Sequence, residues 1–316
     1  MKVLDMSKYD DFPKALRKHK YGFIALMLGL SVLSFGLFYV AVNIDSILLA
    51  FKVFVRESPL DPGHYEWSFE NFKNIWRELT GNSSSSTQLL NAFKNTLLLF
   101  VMGNLITLPI SFLASYYFWK KMPAYKLFRV VFYLPSIVSS VVMVIIFKNL
   151  IAPNGFLGWM SVYITGHPVP PYLSQDSTAI WCVVAYICWV DLAGPYLIIT
   201  AALNRIPQEI IESAQLDGIT PMKEFIHICI PLIWGTLYII LLQKIAGILS
   251  ADGPIILLTQ GKNKTYTLGY WSYMQVFESH SYEFPSAVGL AMTMVVAPIA
   301  IIARKLMSKV NQDVDY

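Results

Sequence analysis

Charged residues are scarce in this sequence of 316 residues, making up 14% of it against 55% hydrophobic residues. Soluble domains carry about 25% charged residues, so an ordinary soluble enzyme is excluded as the expected class. The formal net charge is only +4, and the basic residues lie near the ends of apolar runs, so nucleic-acid binding is not expected. The three cysteines, Cys182, Cys188 and Cys229, lie in or beside apolar runs and indicate neither a disulfide framework nor a zinc site.

Motifs for catalysis are missing as well. The Gly261-Lys262 pair has Ile256 where a phosphate-binding loop requires its first glycine. The sequence contains no Gly-x-Ser-x-Gly elbow and no His-Glu-x-x-His motif, and its five histidines are dispersed. We therefore expect no ATP hydrolysis by this chain, no catalytic residues, and no metal or cofactor bound to it.

Apolar runs of membrane length dominate instead. A helix needs roughly 20 apolar residues to cross a hydrocarbon core of about 30 Å. The sequence predicts an all-α polytopic membrane protein with six transmembrane helices. The first run follows a basic segment, residues 1–20, and lacks a small-residue cleavage site, which indicates an uncleaved anchor. The predicted spans are residues 21–42, 94–119, 128–151, 178–203, 231–250 and 286–306.

Lysine and arginine choose the orientation, because they are kept out of short translocated loops. Basic residues cluster in the N-terminal segment, in the turn after the second span and near Arg304. Both termini, including the tail at 307–316, and the loop at 204–230 are therefore expected in the cytoplasm. The loops at 43–93, 152–177 and 251–285 are expected on the opposite side.

The loop at 43–93 is long enough to hold a small folded cap. Its serine run, Ser83 to Ser86, fits a flexible linker about equally well. Aromatic residues at 69, 72 and 76 share one face of a short predicted helix, and anchoring at the membrane surface is the preferred interpretation.

The cytoplasmic loop at 204–230 is expected to be ordered as two short helices. Pro207 suits the first helical position, and Gly218 stands where the first helix should end with a positive φ. Thr220 is expected to cap the second helix through its hydroxyl, with Pro221 in its first turn. The first helix has an apolar stripe, which fits equally well against a partner protein or against the membrane and the ends of the spans.

This loop resembles the EAA motif of the membrane subunits of bacterial ABC importers. The motif reads here as Glu212-Ser213-Ala214, three residues, then Gly218, with Ser213 in place of the usual middle alanine. Asp217-Gly218, Phe225 and Pro231 match the version found in the carbohydrate (MalF/UgpA-like) permease family, and the resemblance covers roughly residues 67–306.

The resemblance implies a type I ABC importer subunit with the MetI-like permease fold. It has a core permease domain at 94–306 and a loop that docks on a separate ATPase. The implied partners are a second permease subunit, two ATPase subunits that bind ATP and Mg²⁺, and an extracytoplasmic solute-binding protein that delivers a sugar or oligosaccharide. The long outer loop favours a paralogue, and hence a heterodimer, in the bacterial cytoplasmic membrane. The residues implied in ATPase coupling are Glu209, Glu212, Ser213, Ala214, Asp217 and Gly218.

Two ionisable residues lie inside predicted spans, where charge is costly and usually faces a cavity or a partner. Pro195 cannot donate to the carbonyl of Asp191, which predicts a polar break in the fourth span. Asp191 and Lys244 either line the translocation path with neighbouring polar and aromatic residues or form a pair that only joins two spans. The candidate path residues are Trp189, Asp191, Tyr196, Gln243 and Lys244.

Two other classes of protein compete with the importer interpretation. A secondary carrier or channel for a small solute needs no ATPase, and such folds are often built from internal repeats. The sequence shows no duplication between residues 1–150 and 151–316. An intramembrane enzyme is the third and weakest class.

Overall fold

The computed structural model describes residues 14–55, 63–80, 86–250 and 253–309. Much of the N-terminal segment 1–20, most of the tail 307–316 and residues 83–85 of the serine run therefore lie outside the described part of the chain.

The first helical segment is longer than the predicted first span. Helix α1 (Lys14–Ser34) continues through a π-helical stretch, Phe35–Ala41, into α2 (Val42–Ala50). The side chains of Asn43 and Ser46 bond back to the carbonyls of Tyr39 and Val42, at 2.7 and 3.0 Å. These polar residues therefore leave the helix intact, and the predicted end at residue 42 is too early.

The loop predicted at 43–93 contains a small folded unit. Strands β1 (Lys52–Val55) and β2 (His64–Trp67) pair antiparallel and precede helix α3 (Glu70–Leu79). The rings of Phe69 and Phe72 pack against Phe51, with centroids 5.5 and 5.2 Å apart, whereas Trp76 is exposed. The described part of this loop is thus a folded cap. Phe72 is half-buried in it, whereas Phe69 and Trp76 are exposed, so their anchoring at the membrane surface stays a prediction.

Long helices follow in the predicted region of the second to fourth spans. Helix α4 (Ser86–Trp119) contains Pro109 without a break. The next five helices are shorter. They are α5 (Tyr125–Ile137), α6 (Ser140–Ile151), α7 (Phe156–Thr165), α8 (Ala179–Val190) and α9 (Ala193–Leu203). Brief irregular segments separate α5 from α6, α6 from α7, and α8 from α9.

The third predicted span differs most from the structure. Val138 is extended (φ −78°, ψ 142°) and ends α5, so residues 128–151 form parts of two helices. The apolar segment long enough to cross a membrane is instead Ser140–Thr165, which contains α6 and α7. Helix α7 is rich in large apolar residues, and the predicted outer loop at 152–177 missed it.

The C-terminal half begins with the loop predicted to be ordered. Helix α10 (Gln208–Leu216) precedes a short helix, α11 (Pro221–Glu224), and a π-helical turn, Phe225–Cys229, leads into α12 (Ile230–Leu232). The remaining helices carry the fifth and sixth spans and the segment between them. They are α13 (Trp234–Ala246), α14 (Gly253–Leu258), α15 (Leu268–Phe277) and α16 (Glu283–Lys309).

Five helical segments in the described part of the chain are long and apolar enough to cross a membrane. A sixth span results if Pro221–Leu232 and Trp234–Ala246, which meet at an angle of 74°, are counted together. The mostly helical architecture with five or six spans agrees with the prediction apart from the two short strands, and the predicted fifth span is sharply bent. The five segments counted singly are Leu26–Ala50, Gln88–Trp119, Ser140–Thr165, Ala179–Leu203 and Glu283–Lys309.

A stripe of small residues lets α4 approach α8 and α9 closely. Thr107, Ser111 and Ser115 recur every fourth residue and are fully buried, and a methyl group added at Gly103 would lie 3.5 Å from the Ile187 side chain. Small residues at this spacing allow helix backbones to pack tightly in membranes. The second and fourth spans thus form the centre of the fold.

The segment between the fifth and sixth spans folds back onto the other helices. Helix α14 buries Ile255 and Leu258 in the core formed by α4, α6 and α8. Lys148 Nζ donates to the carbonyl of Leu257 at 2.8 Å, and Asn95 Nδ2 donates to the carbonyls of Lys264 and Tyr266. The predicted outer loop at 251–285 is therefore largely folded, although Ala251 and Asp252 lie outside the described residues.

A tyrosine hydroxyl holds the turn that follows α14. Tyr270 donates to the carbonyl of Gln260 at 2.9 Å, and Gln260 has a positive φ of 54°. Burial, and then the nearby Tyr266, raise the pKa of Tyr270 above its ordinary value. The hydroxyl therefore stays protonated, and available as a donor, at neutral pH.

Candidate coupling surface and central cavity

Helix α10 projects from the bundle with little of its surface covered. Among its nine residues only Ile211 is buried, and Leu216 at its end is 89% exposed. Glu209, Glu212, Ser213, Asp217 and Gly218 are exposed, and Ala214 is half-buried. The residues predicted to contact an ATPase thus share one accessible helix and the turn that follows it.

The turn after α10 has the geometry expected from the sequence. Gly218 has φ +74°, and a methyl group added there would meet no atom within 4 Å. Its conformation is favoured by glycine because of the backbone alone, since other residues are strained at positive φ. The predicted end of the first helix is confirmed.

Two details of the predicted helix starts are wrong. Pro207 is extended (ψ 132°) and precedes α10 as its N-cap, so it is not the first helical residue. Thr220 occupies the N-cap of α11, but its side chain makes no capping hydrogen bond. Pro221 does stand in the first turn of α11, as predicted.

A buried ion pair anchors the second half of this loop to the end of the second span. Glu224 is 2% exposed, and its Oε1 lies 2.6 Å from Lys120 Nζ, one residue beyond α4. The hydroxyl of Tyr116 lies 3.2 Å from the same Oε1 and 3.1 Å from the carbonyl of Pro221. Lys120 also lies 5.1 Å from the ring centre of Trp119. We name Glu224, Lys120 and Tyr116 the anchor cluster.

Sequence reasoning missed the anchor cluster. Lys120 entered the prediction only as a basic residue that fixes orientation, and Glu224 carried no role. The sequence offers little signal for it, because Glu224 follows Lys223 directly and its partner Lys120 is 104 positions away.

Apolar packing surrounds the anchor cluster. The ring of Phe225 lies 5.0 Å from that of Tyr116 and 5.8 Å from that of Phe112. Phe225 shares one buried core with residues of α9 and α13, including Ile199 and Leu237. The loop after Gly218 is therefore built into the bundle, whereas α10 is not.

A cavity of about 420 Å³ lies between the second, fourth and fifth spans. Three of the predicted path residues, Asp191, Gln243 and Lys244, line it. Asp191 and Lys244 form a direct ion pair in its lining. The other lining residues are Leu99, Phe100, Gly103, Asn104, Tyr186, Ile187, Val190, Gly247, Ile248 and Pro254.

The break predicted in the fourth span is present beside the cavity. Helix α8 ends at Val190 and α9 begins at Ala193, which leaves Asp191 and Leu192 in a turn. Ser111 Oγ donates to the carbonyl of Leu192 at 3.0 Å. The second span is thus tied by a side-chain hydrogen bond to the turn between α8 and α9.

The other two predicted path residues lie away from this cavity. Tyr196 is 1% exposed, packs edge-on against Phe118 with ring centres 5.3 Å apart, and accepts a hydrogen bond from Arg129 Nε at 3.2 Å. Trp189 packs against the ring of Phe147 at 6.1 Å. Both side chains therefore take part in contacts between helices and do not line the cavity.

The fold and the two sites together define a multi-pass membrane protein with an exposed loop helix and a mainly apolar cavity that contains an ion pair. Residues 106–316 match the model of the family described as binding-protein-dependent transport system inner membrane component. The chain belongs to this family. It is an ABC transporter permease, a transport subunit and not an enzyme.

Several curated proteins are similar over much of their length. The arabinooligosaccharides transport system permease protein AraP of Bacillus subtilis is 23% identical over 87% of this chain and 85% of its own. Protein LplB of Bacillus subtilis is 23% identical over 98% of this chain and 96% of its own. The multiple sugar-binding transport system permease protein MsmF of Streptococcus mutans is 24% identical over 60% of this chain and 66% of its own.

Solved structures share the whole fold. A chain of a bacterial ABC transporter that imports the acidic polysaccharide alginate superposes with a TM-score of 0.77 at 20% identity, over 95% of this chain and 100% of that one. A chain of the alginate transporter in complex with its pentasaccharide-bound periplasmic protein gives a TM-score of 0.79, also at 20% identity, over 95% of this chain and 99% of that one.

Proposed function

We propose that this permease forms half of the translocation path of an ATP-driven importer for a sugar or oligosaccharide. Relatives that align with most or much of the chain are named for arabinooligosaccharide and multiple-sugar transport, which supports a carbohydrate substrate. Membership of a binding-protein-dependent family supports an importer and not the secondary carrier considered from the sequence.

Helix α10 is the proposed contact with an ATPase subunit. A nine-residue helix is too short to be stable in water without a partner surface, yet only Ile211 of α10 is buried. Its exposed Glu212 and Asp217, and the unhindered turn at Gly218, suit a helix that enters a groove and can pivot there. The exposed α10 is the single observation that carries the coupling proposal.

The cavity lined by Asp191, Gln243 and Lys244 is the proposed substrate path. Its volume of about 420 Å³ falls within the ordinary range for small-ligand sites. The amide groups of Asn104 and Gln243 can exchange hydrogen bonds with sugar hydroxyls. The ion pair contributes fixed charges of both signs on the cavity wall.

The proposed assembly contains a second permease, two ATPase subunits and an extracytoplasmic binding protein. The folded outer cap formed by β1, β2 and α3 supports a paralogous partner over an identical copy, because a subunit with an added outer domain offers a surface of its own. ATP and Mg²⁺ bind to the ATPase subunits in this proposal, and none binds to this chain.

The proposed orientation places both termini in the cytoplasm. Four basic residues, Lys120, Lys121, Lys126 and Arg129, follow α4 closely, and the basic end of α16 includes Arg304, Lys305 and Lys309. Positive charge near span ends marks the cytoplasmic side. The cap and the segment around α14 then face the binding protein.

Co-purification tests the coupling proposal. The chain is co-expressed with a multi-sugar ATPase subunit, as wild type and as Gly218→Asp, and the membranes are then solubilised in detergent. Aspartate strains the positive φ and adds negative charge beside α10. We expect the wild type to retain the ATPase and Gly218→Asp to lose most of it.

Gly166 provides a matched control for this substitution. It has φ +73°, ends α7, and like Gly218 has no atom within 4 Å of an added methyl group. Gly166→Asp imposes the same backbone strain on the other side of the membrane in the proposed orientation, so this variant should retain the ATPase. Failure of the wild type to retain any ATPase, with solute flux in vesicles lacking ATP, would overturn the importer proposal.

A further inference from the structure

The anchor cluster connects the coupling loop to the second span through charged groups. Helix α10 itself has one buried residue, so a force applied to it reaches the bundle through Gly218 and the segment after it. That segment contacts the end of α4 through Glu224, whose carboxylate lies 2.6 Å from Lys120 Nζ and 3.2 Å from the Tyr116 hydroxyl.

The charged contact differs mechanically from the apolar contacts around it. Apolar side chains such as Phe225 and Ile199 attract without direction and can repack when helices shift. The charge-assisted hydrogen bond between buried Glu224 and partly buried Lys120 is directional, and separating the two leaves the Glu224 charge buried and uncompensated. Glu224 and Lys120 therefore resist separation more than the surrounding core does.

The second span carries the other end of this connection. Lys120 directly follows α4, and the same unbroken helix contributes Gly103 and Asn104 to the cavity wall. The distance along the helix from Lys120 to Asn104 is about 24 Å at 1.5 Å per residue. Movement of the end of α4 is thus transmitted to the cavity by a single helix.

We propose that Glu224, Lys120 and Tyr116 form the joint through which movement of α10 reaches the second span and the cavity wall. They are positioning residues, since none of them lines the cavity. The inference rests on the proposed function and extends it, because it assigns the transmission of movement to three particular side chains and not to the apolar core.

The test measures solute imported per ATP hydrolysed in proteoliposomes that contain the complete transporter. Variants Glu224→Gln and Tyr116→Phe keep side-chain size while removing the charge or the hydroxyl. The double variant Lys120→Met/Glu224→Gln removes both charges and leaves neither unpaired, so it should fold even where a single variant does not. Retention of the ATPase subunit is recorded for each variant.

We expect all three variants to retain the ATPase and to hydrolyse ATP, with the import ratio reduced about fivefold or more, the lower limit of a typical coupling between sites. Lys121→Met is the control, because it removes an exposed positive charge next to Lys120 that belongs to no ion pair among the described residues. Its import ratio should equal that of the wild type.

Two results would overturn the joint. An unchanged import ratio in the double variant would show that the charges transmit nothing. Loss of the ATPase from the double variant would show that the cluster serves assembly only. Absence of ATP-dependent import in the wild type is a different failure, since it contradicts the proposed function itself.

Discussion

Asp191 and Lys244 are the residues at which structure and substrate proposal meet most directly. They form an ion pair in the cavity lining, and neither side chain is fully buried, with 40% of Asp191 and 23% of Lys244 exposed. A pair that only joined two spans would not need to face a cavity. Its position fits both alternatives drawn from the sequence, and substitution separates them.

Charge exchange at this pair is the first prediction. Asp191→Lys and Lys244→Asp should each reduce expression and transport, because each places two like charges together. The exchanged double variant should recover expression, as measured by size-exclusion chromatography in detergent. If the pair lines the path, transport stays low in the double variant, because the positive and negative charges that the substrate meets have exchanged positions. Full recovery of transport would assign the pair to span contacts alone.

Two neighbouring hydroxyls of α4 give a second prediction. Thr107 is fully buried, and its hydroxyl has no hydrogen-bond partner among the described residues, whereas Ser111 Oγ bonds to Leu192. Thr107→Val should leave the thermal midpoint unchanged or raise it, because it removes an unsatisfied group of similar shape. Ser111→Ala should lower it, at a cost of about 1 kcal/mol. Thermal unfolding of the detergent-solubilised protein checks both, and a lower midpoint for Thr107→Val would contradict the assignment.

At the scale of single elements, the break in the fourth span is the feature with the clearest sequence origin. Pro195 leaves the carbonyl of Asp191 without its helical donor, and α8 and α9 are separated at that place. The break turns Asp191 toward the cavity and exposes the Leu192 carbonyl to Ser111.

Restoring the missing donor is the third prediction. Pro195→Ala supplies an N–H for the carbonyl of Asp191 and should straighten the fourth span, which moves Asp191 relative to Lys244. Import should fall while the ATPase is still retained. Pro109→Ala is the control, since α4 is unbroken at Pro109. Equal import by both variants would mean that the break has no role in transport.

Sequence reasoning was most successful where local chemistry decides the structure. Gly218 and Pro221 fix a turn through backbone preferences that act at single residues, and apolar length locates most spans. It failed where contacts decide. Asn43 bonds to the carbonyl of Tyr39, and the helix continues past it. Tyr196 lies outside the cavity lining because it packs against Phe118 and accepts a hydrogen bond from Arg129. The anchor cluster joins residues more than 100 positions apart, which no local pattern reveals.

At the scale of the whole molecule, much apolar surface lies uncovered. The Leu26–Ala50 segment has no buried residue in its most apolar stretch, and large side chains of α5 and α7 are exposed, among them Ile137 and Tyr163. Lipid covers such surface in a membrane, and a second permease covers part of it in the proposed assembly.

The heterodimer proposal supplies the fourth prediction. Two differently tagged copies of this chain, expressed together, should not purify with each other, whereas the chain should purify with a co-expressed paralogous permease of a sugar importer. Surface complementarity is expected only for the paralogue. Recovery of both tags in one complex, at the mass of a dimer by light scattering, would favour a homodimer.

The end of α16 offers a place to observe the transporter at work. Trp234 Nε1, at the bend of the fifth span, donates to the carbonyl of Met307 at 2.9 Å. A fluorophore attached at residue 309 would therefore sit two residues beyond the Met307 carbonyl that contacts the bend. Energy transfer from that dye to one on the ATPase would report each turnover cycle optically, without a label inside the membrane.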